Sequence, residues 1–258
     1  KGFIEIETPY LSQGCGQDPN INLFQTQYQD EKEEPIPCWL MPSPEHHMKR
    51  LLGSGFTRIY QVGRAFRNGE RTDHHNPEFT MLELYEAYAD WEDIMKLAEG
   101  LIEFLAVELT GSTLVSFGGK ELNLSTPWRR ASMVELIKEY VQEDISLETP
   151  IKELRALCDK LGIEYETEYG PGKLILEIYE KSVEPNLWDP CFVTEYPKEV
   201  SPLSRDHREK PGYTERFEGI VAGREILNGF SELIDPEEQM DRFKDQLQKS
   251  KAGDEEAM

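Results

Sequence analysis

Two stretches of the chain gather residues able to do chemistry together. The first, residues 57–88 (TRIYQVGRAFRNGERTDHHNPEFTMLELYEAY), holds two runs of alternating apolar and polar residues around a charged loop. The alternation predicts a pair of strands, and the loop is too long and too charged for a tight turn. Arg67 leaves the first strand; Arg71, His74 and His75 occupy the loop; Glu83 and Tyr85 follow on the same side as Phe79 and Met81, because side chains alternate with period two. A carboxylate set into an apolar strand face beside a cationic loop suits a site that holds an anion and a cation at once. The second stretch, residues 217–232, predicts a hairpin turning at Ala222-Gly223, with Asn228, Phe230 and Glu232 on one face of its second strand. An aromatic ring between an amide and a carboxylate suits a long aliphatic cation: the ring packs its methylenes and the carboxylate pairs its ammonium.

Helices must position these hairpins. Ser43 as N-cap and Pro44 at the first helical position predict a helix over residues 43–52. Residues 91–109 carry Ile94, Leu97, Leu101, Phe104, Leu105 and Leu109 at helical spacing, which predicts a core-facing stripe. A helix starts at Thr149-Pro150, runs through Leu161 and stops at Gly162. Asp235-Pro236-Glu237-Glu238 reads as a capping box that opens a final helix. Shorter helices are predicted over 132–141 and 173–182, and His47 and His74 read as surface histidines. Strands at both ends around a helical middle predict an α+β fold.

The first hairpin resembles motif 2 of the class II aminoacyl-tRNA synthetases, in the lysine branch of the aspartate–asparagine–lysine subgroup. The matching residues are Phe66-Arg67-Asn68 and the run His75-Asn76-Pro77-Glu78-Phe79-Thr80-Met81-Leu82-Glu83. The opening KGFIEIETPYLS is similar to motif 1 through Gly2, Phe3 and Pro9, and Glu218, Glu225, Asn228, Phe230 and Glu232 match the lysine-specific pattern near the C-terminus. The resemblance implies an antiparallel sheet flanked by helices and one catalytic domain over residues 1–258. It also implies ATP and Mg²⁺ as cofactors, lysine and tRNA(Lys) as partners, and a homodimer built through motif 1. Carried over by position, Arg67 would bridge the α-phosphate and the substrate carboxylate. His75 and Asn76 would cover the nucleotide, Phe79 would stack adenine, and Glu218 and Glu225 would hold Mg²⁺ against the phosphates. Glu45 would read the amino group, with Glu83, Tyr85, Asn228, Phe230 and Glu232 completing a lysine pocket.

Composition bounds this reading. The 258 residues, 38% of them hydrophobic, are enough for one large domain. No apolar run approaches the ~18 residues of a membrane span, and no secretory leader is recognised. Cys15, Cys38, Cys158 and Cys191 sit far apart with no C-x-x-C pair, which suggests neither zinc nor a disulfide framework and makes the cytoplasm the expected compartment. Fifty acidic against 28 basic residues give a net charge of −22, the reverse of what a tRNA partner favours. Basic clusters at Lys49-Arg50, Arg64, Arg67, Arg71, Trp128-Arg129-Arg130 and residues 205–210 are the candidates for phosphate contact.

The chain departs from the family pattern in places. Gly69-Glu70-Arg71 and the run WLMPSPEHHMKRLL resemble the ligases that attach lysine or β-lysine to elongation factor P. Residues 199–203 and 223–233 resemble lysyl-tRNA synthetases. The acceptor is therefore open between tRNA and elongation factor P, and a non-catalytic paralogue is a third reading. Leu227 is a bulky neighbour of Asn228 that would narrow the amino-acid pocket, although its strand parity is opposite. Motif 3 and an anticodon-binding barrel do not occur, which predicts a catalytic-domain fragment cut on both sides and weakly active or inactive by itself.

Overall fold

The computed structural model describes residues 1–14, 22–29, 34–69, 71–72 and 75–252, with side chains as far as residue 244. Contacts divide the chain into two compact units, Lys1–Tyr88 with Phe243–Met258, and Ala89–Arg242.

In the first unit β1 (Ile4–Glu5), β2 (Leu11–Ser12), β3 (Gln25–Tyr28) and β4 (Ile36–Leu40) precede α1 (Glu45–Gly53), and β5 (Arg58–Phe66) and β6 (Glu78–Glu86) follow. One sheet has the order β1-β5-β6 and the other β2-β4-β3. The predicted hairpin is present: β5 and β6 pair antiparallel from Arg58↔Glu86 to Phe66↔Glu78. Pairing puts Ile59, Gln61, Gly63 and Ala65 on the face of Tyr85, Glu83, Met81 and Phe79. Ile59, Gln61 and Ala65 are buried there, and Gln61 accepts the Thr8 backbone N–H at 2.9 Å. The motif 1 segment contributes two short strands, β1 parallel to β5 and β2 antiparallel to β4, and Pro9 lies between them. Helix α1 begins one residue later than predicted, after Pro44, while Ser43 Oγ still accepts from Glu45 N at 3.0 Å.

In the second unit α2 (Trp91–Thr110) and the hairpin of β7 (Leu114–Phe117) and β8 (Lys120–Asn123) precede β9 (Arg129–Ser132) and α3 (Met133–Val141). Helices α4 (Ile151–Leu161) and α5 (Pro171–Ser182) lead to β10 (Cys191–Thr194), β11 (Arg216–Val221), β12 (Arg224–Phe230) and the start of α6 (Pro236–Ala252). The main sheet runs β12-β11-β10-β9, antiparallel except for the β9–β10 pair. Alternation along its strands splits the core in two. Cys191, Val193 and Ile220 join Leu136, Leu154, Ile175 and Ile178 of α3, α4 and α5, whereas Phe192, Phe217 and Val221 join Met95 of α2 and Trp128.

The helices end where their caps dictate. Ser132 and Glu135 form a capping box on α3, and Gly162 closes α4 at φ 71°. At α6 Asp235 accepts from Glu237 N and Glu238 N, but the Glu238 carboxylate pairs with Lys198 and Arg242. The stripe predicted on α2 is rotated. Met95, Glu99 and Ala106 are buried, whereas Phe104 is 58% and Leu109 80% exposed. The cause is Glu99: its carboxylate accepts Trp128 N and Arg130 Nη2, both at 2.9 Å, and this pairing turns a polar residue inward. His47 is half-buried rather than at the surface, and burial with Arg50 and His46 nearby lowers its pKa.

Leu227 does not narrow a site. It faces α2, opposite to Asn228, and fills the space over its cross-strand partner Gly219, where a Cβ would stand 2.7 Å from the leucine side chain. Leu227→Gly should therefore lower unfolding free energy by about 1–3 kcal/mol, and Gly219→Leu alone should also destabilise. Denaturant melts of the double exchange should recover much of the combined loss; strictly additive losses would show that the two positions do not share one space.

Candidate functional site

The candidate residues form two constellations, one in each unit. In the first, Glu83 projects from β6 into the hairpin face. Ser43 Oγ donates to its Oε1 at 2.5 Å and Tyr85 OH to its Oε2 at 3.1 Å. Burial raises the Glu83 pKa above the ordinary carboxylate range; the Glu45 charge adds to this, while the two hydroxyls and Arg67 oppose it. Glu45, at the head of α1, is paired with Lys49 at 2.5 Å. Arg67, at the end of β5, donates its backbone N–H to Pro77 O at 2.9 Å, and its guanidinium lies 5.3 Å from the Phe79 ring centroid. His75 is tied to Thr72: its N–H donates to Thr72 Oγ1 at 3.0 Å, its Nδ1 lies 3.0 Å from that oxygen, and Asn76 beside it is exposed. Glu45, Glu83 and Tyr85 are thus gathered around Ser43, and Arg67 lies against Phe79. His74 and Glu70 lie outside the described residues.

In the second unit the residues lie on β11 and β12. The turn between them has positive φ at Ala222 (54°) and Gly223 (71°), the geometry of a tight twisted hairpin. Glu218 is opposite Asn228 and Arg216 opposite Phe230. Residues 225 and 228 are three apart, so regular alternation would send them to opposite faces. A register shift between Gly219 and Ile220 pairs Ile220 with Glu225 and restores Glu225 to the Glu218 face. Glu232 follows, bridged to Ser204. Glu218 is buried at 8% exposure, and Arg216 Nη2 donates to its Oε1 at 2.6 Å. Burial first, then the Glu218 charge, pushes Glu184 up to about 7. Burial, opposed by Lys173, also raises Glu180 to about 7, with Glu177 and Glu218 contributing.

Arg216 and Ser43 are the residues that sequence reading missed. Each had a signal: Arg216 stands two residues before a strand glutamate, on its face, and Ser43 precedes a helix. A polar cleft of about 440 Å³ bordered by Gly162, Tyr169, Glu177 and Lys181 contains none of the candidates. Among the described residues no group of three or more His, Cys, Asp or Glu is arranged to hold a metal ion. Glu218 and Glu225 offer the carboxylate oxygens that a hard cation such as Mg²⁺ takes. Cys38, Cys158 and Cys191 are buried free thiols, Cys15 lies outside the described residues, and among the described residues no helix is long and apolar enough to cross a membrane.

The family model described as tRNA synthetases class II (D, K and N) matches residues 1–258. The chain is 43% identical over its full length to a lysine–tRNA ligase of Thioalkalivibrio sulfidiphilus, covering 51% of that protein. It is 41% identical to one of Moorella thermoacetica and 42% to one of Prochlorococcus marinus, covering all of this chain and 52% and 50% of those proteins. The chain thus spans about half the length of the curated relatives it matches.

The raised pKa of Glu83 carries a stability consequence. Its ionisation costs the folded state, a penalty absent below the ordinary carboxylate range and complete once pH passes the raised value. Glu83→Gln should therefore raise the melting temperature at pH 7, with the gain shrinking as pH falls toward 4. An equal shift at both pH values would contradict this.

Proposed function

This chain belongs to the class II tRNA synthetase family (D, K and N), and we propose that it is the catalytic region of a lysine–tRNA ligase. In this reading residues 1–258 form one catalytic domain that activates lysine with ATP and transfers it to tRNA(Lys). The family match and the lysine–tRNA ligase relatives support the reaction class. The observation that carries the amino acid is Glu83, a half-buried carboxylate that accepts from two neutral hydroxyls. Such a group favours an arriving ammonium, because a buried charge gains most from an opposite one.

Activation joins the lysine carboxylate to the α-phosphorus of ATP and expels pyrophosphate. Two anions must meet, so the chain supplies charge and position rather than a base. Arg67 offers a guanidinium able to hold phosphate and carboxylate oxygens together, and Phe79 beneath it offers a ring for stacking adenine. His75 and Asn76 flank the nucleotide. Glu218 and Glu225 would hold Mg²⁺, and the ion would supply positive charge to the phosphates there. Glu45 reads the α-amino group; Glu83, Tyr85, Phe230 and Glu232 take the aliphatic ammonium, and Asn228 completes the lysine pocket. A homodimer through the motif 1 segment, tRNA contact by the basic clusters and a cytoplasmic setting complete the proposal.

Amino-acid-dependent ATP–pyrophosphate exchange on the longest natural form of the chain tests it. Exchange is expected with α-lysine and not with β-lysine, aspartate or asparagine, and Arg67→Ala should lower kcat by about 100-fold or more. A preference for β-lysine would move the chain to modification of elongation factor P, and exchange with no amino acid would leave a non-catalytic paralogue.

A further inference from the structure

Arg216 makes more contacts than a strand-end arginine needs. Its Nη2 donates to Glu218 Oε1 at 2.6 Å and its Nε to Asn228 Oδ1 at 3.2 Å. Its Nη1 donates to Val200 O at 2.9 Å and to Ser201 Oγ at 3.3 Å, and its guanidinium lies 4.6 Å from the Tyr196 ring centroid. Tyr196 and Ser201 are buried at 1% and 2% exposure, so the platform under the guanidinium is fixed by packing. Every edge of the planar fork is engaged, and two of its partners are the residues assigned above to metal–phosphate and to lysine.

We infer that Arg216 is a positioning residue that locks Glu218 and Asn228 into one arrangement and so couples the phosphate side of the site to the amino-acid side; this rests on the lysine-activating reading. Two consequences follow from the hydrogen-bond chemistry. By occupying Oδ1, Arg216 sets the Asn228 carboxamide with its N–H₂ group outward, so Asn228 meets its ligand as a donor. By holding Oε1 of Glu218, it fixes the rotamer of the buried carboxylate before a cation arrives. Neutralisation alone would be met by lysine, but lysine lacks the fork that reaches a carboxylate, an amide and a carbonyl together.

The platform is itself anchored. Glu199, next to Val200, accepts Gly170 N at 3.1 Å and Gly172 N at 2.9 Å at the start of α5. A Cβ would stand 2.3 Å from its carboxylate at Gly170 and 2.8 Å at Gly172. On the far side Arg242 donates to Ser201 O at 3.3 Å and Ser204 O at 2.8 Å. The segment that carries the Arg216 acceptors is thus held at both ends.

The test is Arg216→Lys in the longest natural form of the chain, with Ser201→Ala as a milder second variant. Exchange kinetics with α-lysine, calorimetric lysine affinity without ATP, and melting temperature are read together. In R216K the lysine KM and Kd should both rise about tenfold, the Mg²⁺ concentration for half-maximal exchange should rise, and kcat should change less than KM. Asn228→Ala should add little to R216K, because the asparagine is already released. Ser201→Ala should show the same signature more weakly with an unchanged melting temperature. Unchanged lysine affinity and Mg²⁺ requirement in both variants would overturn the inference, as would fully multiplicative effects of R216K and N228A. A wild-type chain that exchanges with no amino acid would instead overturn the lysine-activating reading and this inference with it.

Discussion

A carboxylate taken out of water must be met by donors, and in this chain that requirement shapes the surroundings of Glu83, Glu218 and Glu99. Glu83 draws Ser43 and Tyr85 to itself; Glu218 draws Arg216; Glu99 turns α2 and takes both Trp128 N and Arg130. The difference between them is instructive. Glu99 is compensated by a backbone donor and a cation, so it is a structural anchor. Among the described residues Glu83 accepts from two hydroxyls, and its pKa is raised. Glu218 shares its face with Glu225, and Glu180 and Glu184 nearby are both raised to about 7. Carboxylates gathered in this way are what a cationic substrate or metal can use.

Strand geometry decides which acids meet. In β5–β6 uninterrupted alternation is enough to collect Phe79, Met81, Glu83 and Tyr85 on one face. In β11–β12 it is not, since Glu225 and Asn228 differ by an odd number. One irregularity in the ladder reconciles them, which fits the tendency of bulges to re-aim side chains beside functional sites. The same hairpin depends on complementary volumes on its other face. Leu227 needs Gly219, and a Cβ on Gly229 would stand 2.5 Å from the Phe217 ring. Chemistry and packing therefore occupy opposite sides of the same two strands.

Much of this was legible in the residues. The two hairpins, the helix starts at Ser132 and Asp235, the stop at Gly162 and the shared face of Glu83 and Tyr85 follow from local pattern and turn chemistry. What was not legible depends on long-range partners. The rotation of α2 is set by Trp128 and Arg130, residues no helical period contains. The return of Glu225 to the Glu218 face depends on a cross-strand register, and the role of Arg216 depends on Val200 and Ser201 arriving from another segment. The inward position of His47 likewise comes from tertiary packing rather than from its own helix.

Proton linkage of lysine binding measures the central claim most directly: that Glu83 is held dehydrated for an incoming ammonium. Calorimetric titration of lysine at mildly acidic pH, in two buffers of different ionisation enthalpy, counts the protons exchanged. An ammonium arriving at a carboxylate of raised pKa lowers that pKa, so protons should be released, and Glu83→Gln should abolish the release. Lysine binding with no release, or with a release that survives in E83Q, would contradict the account.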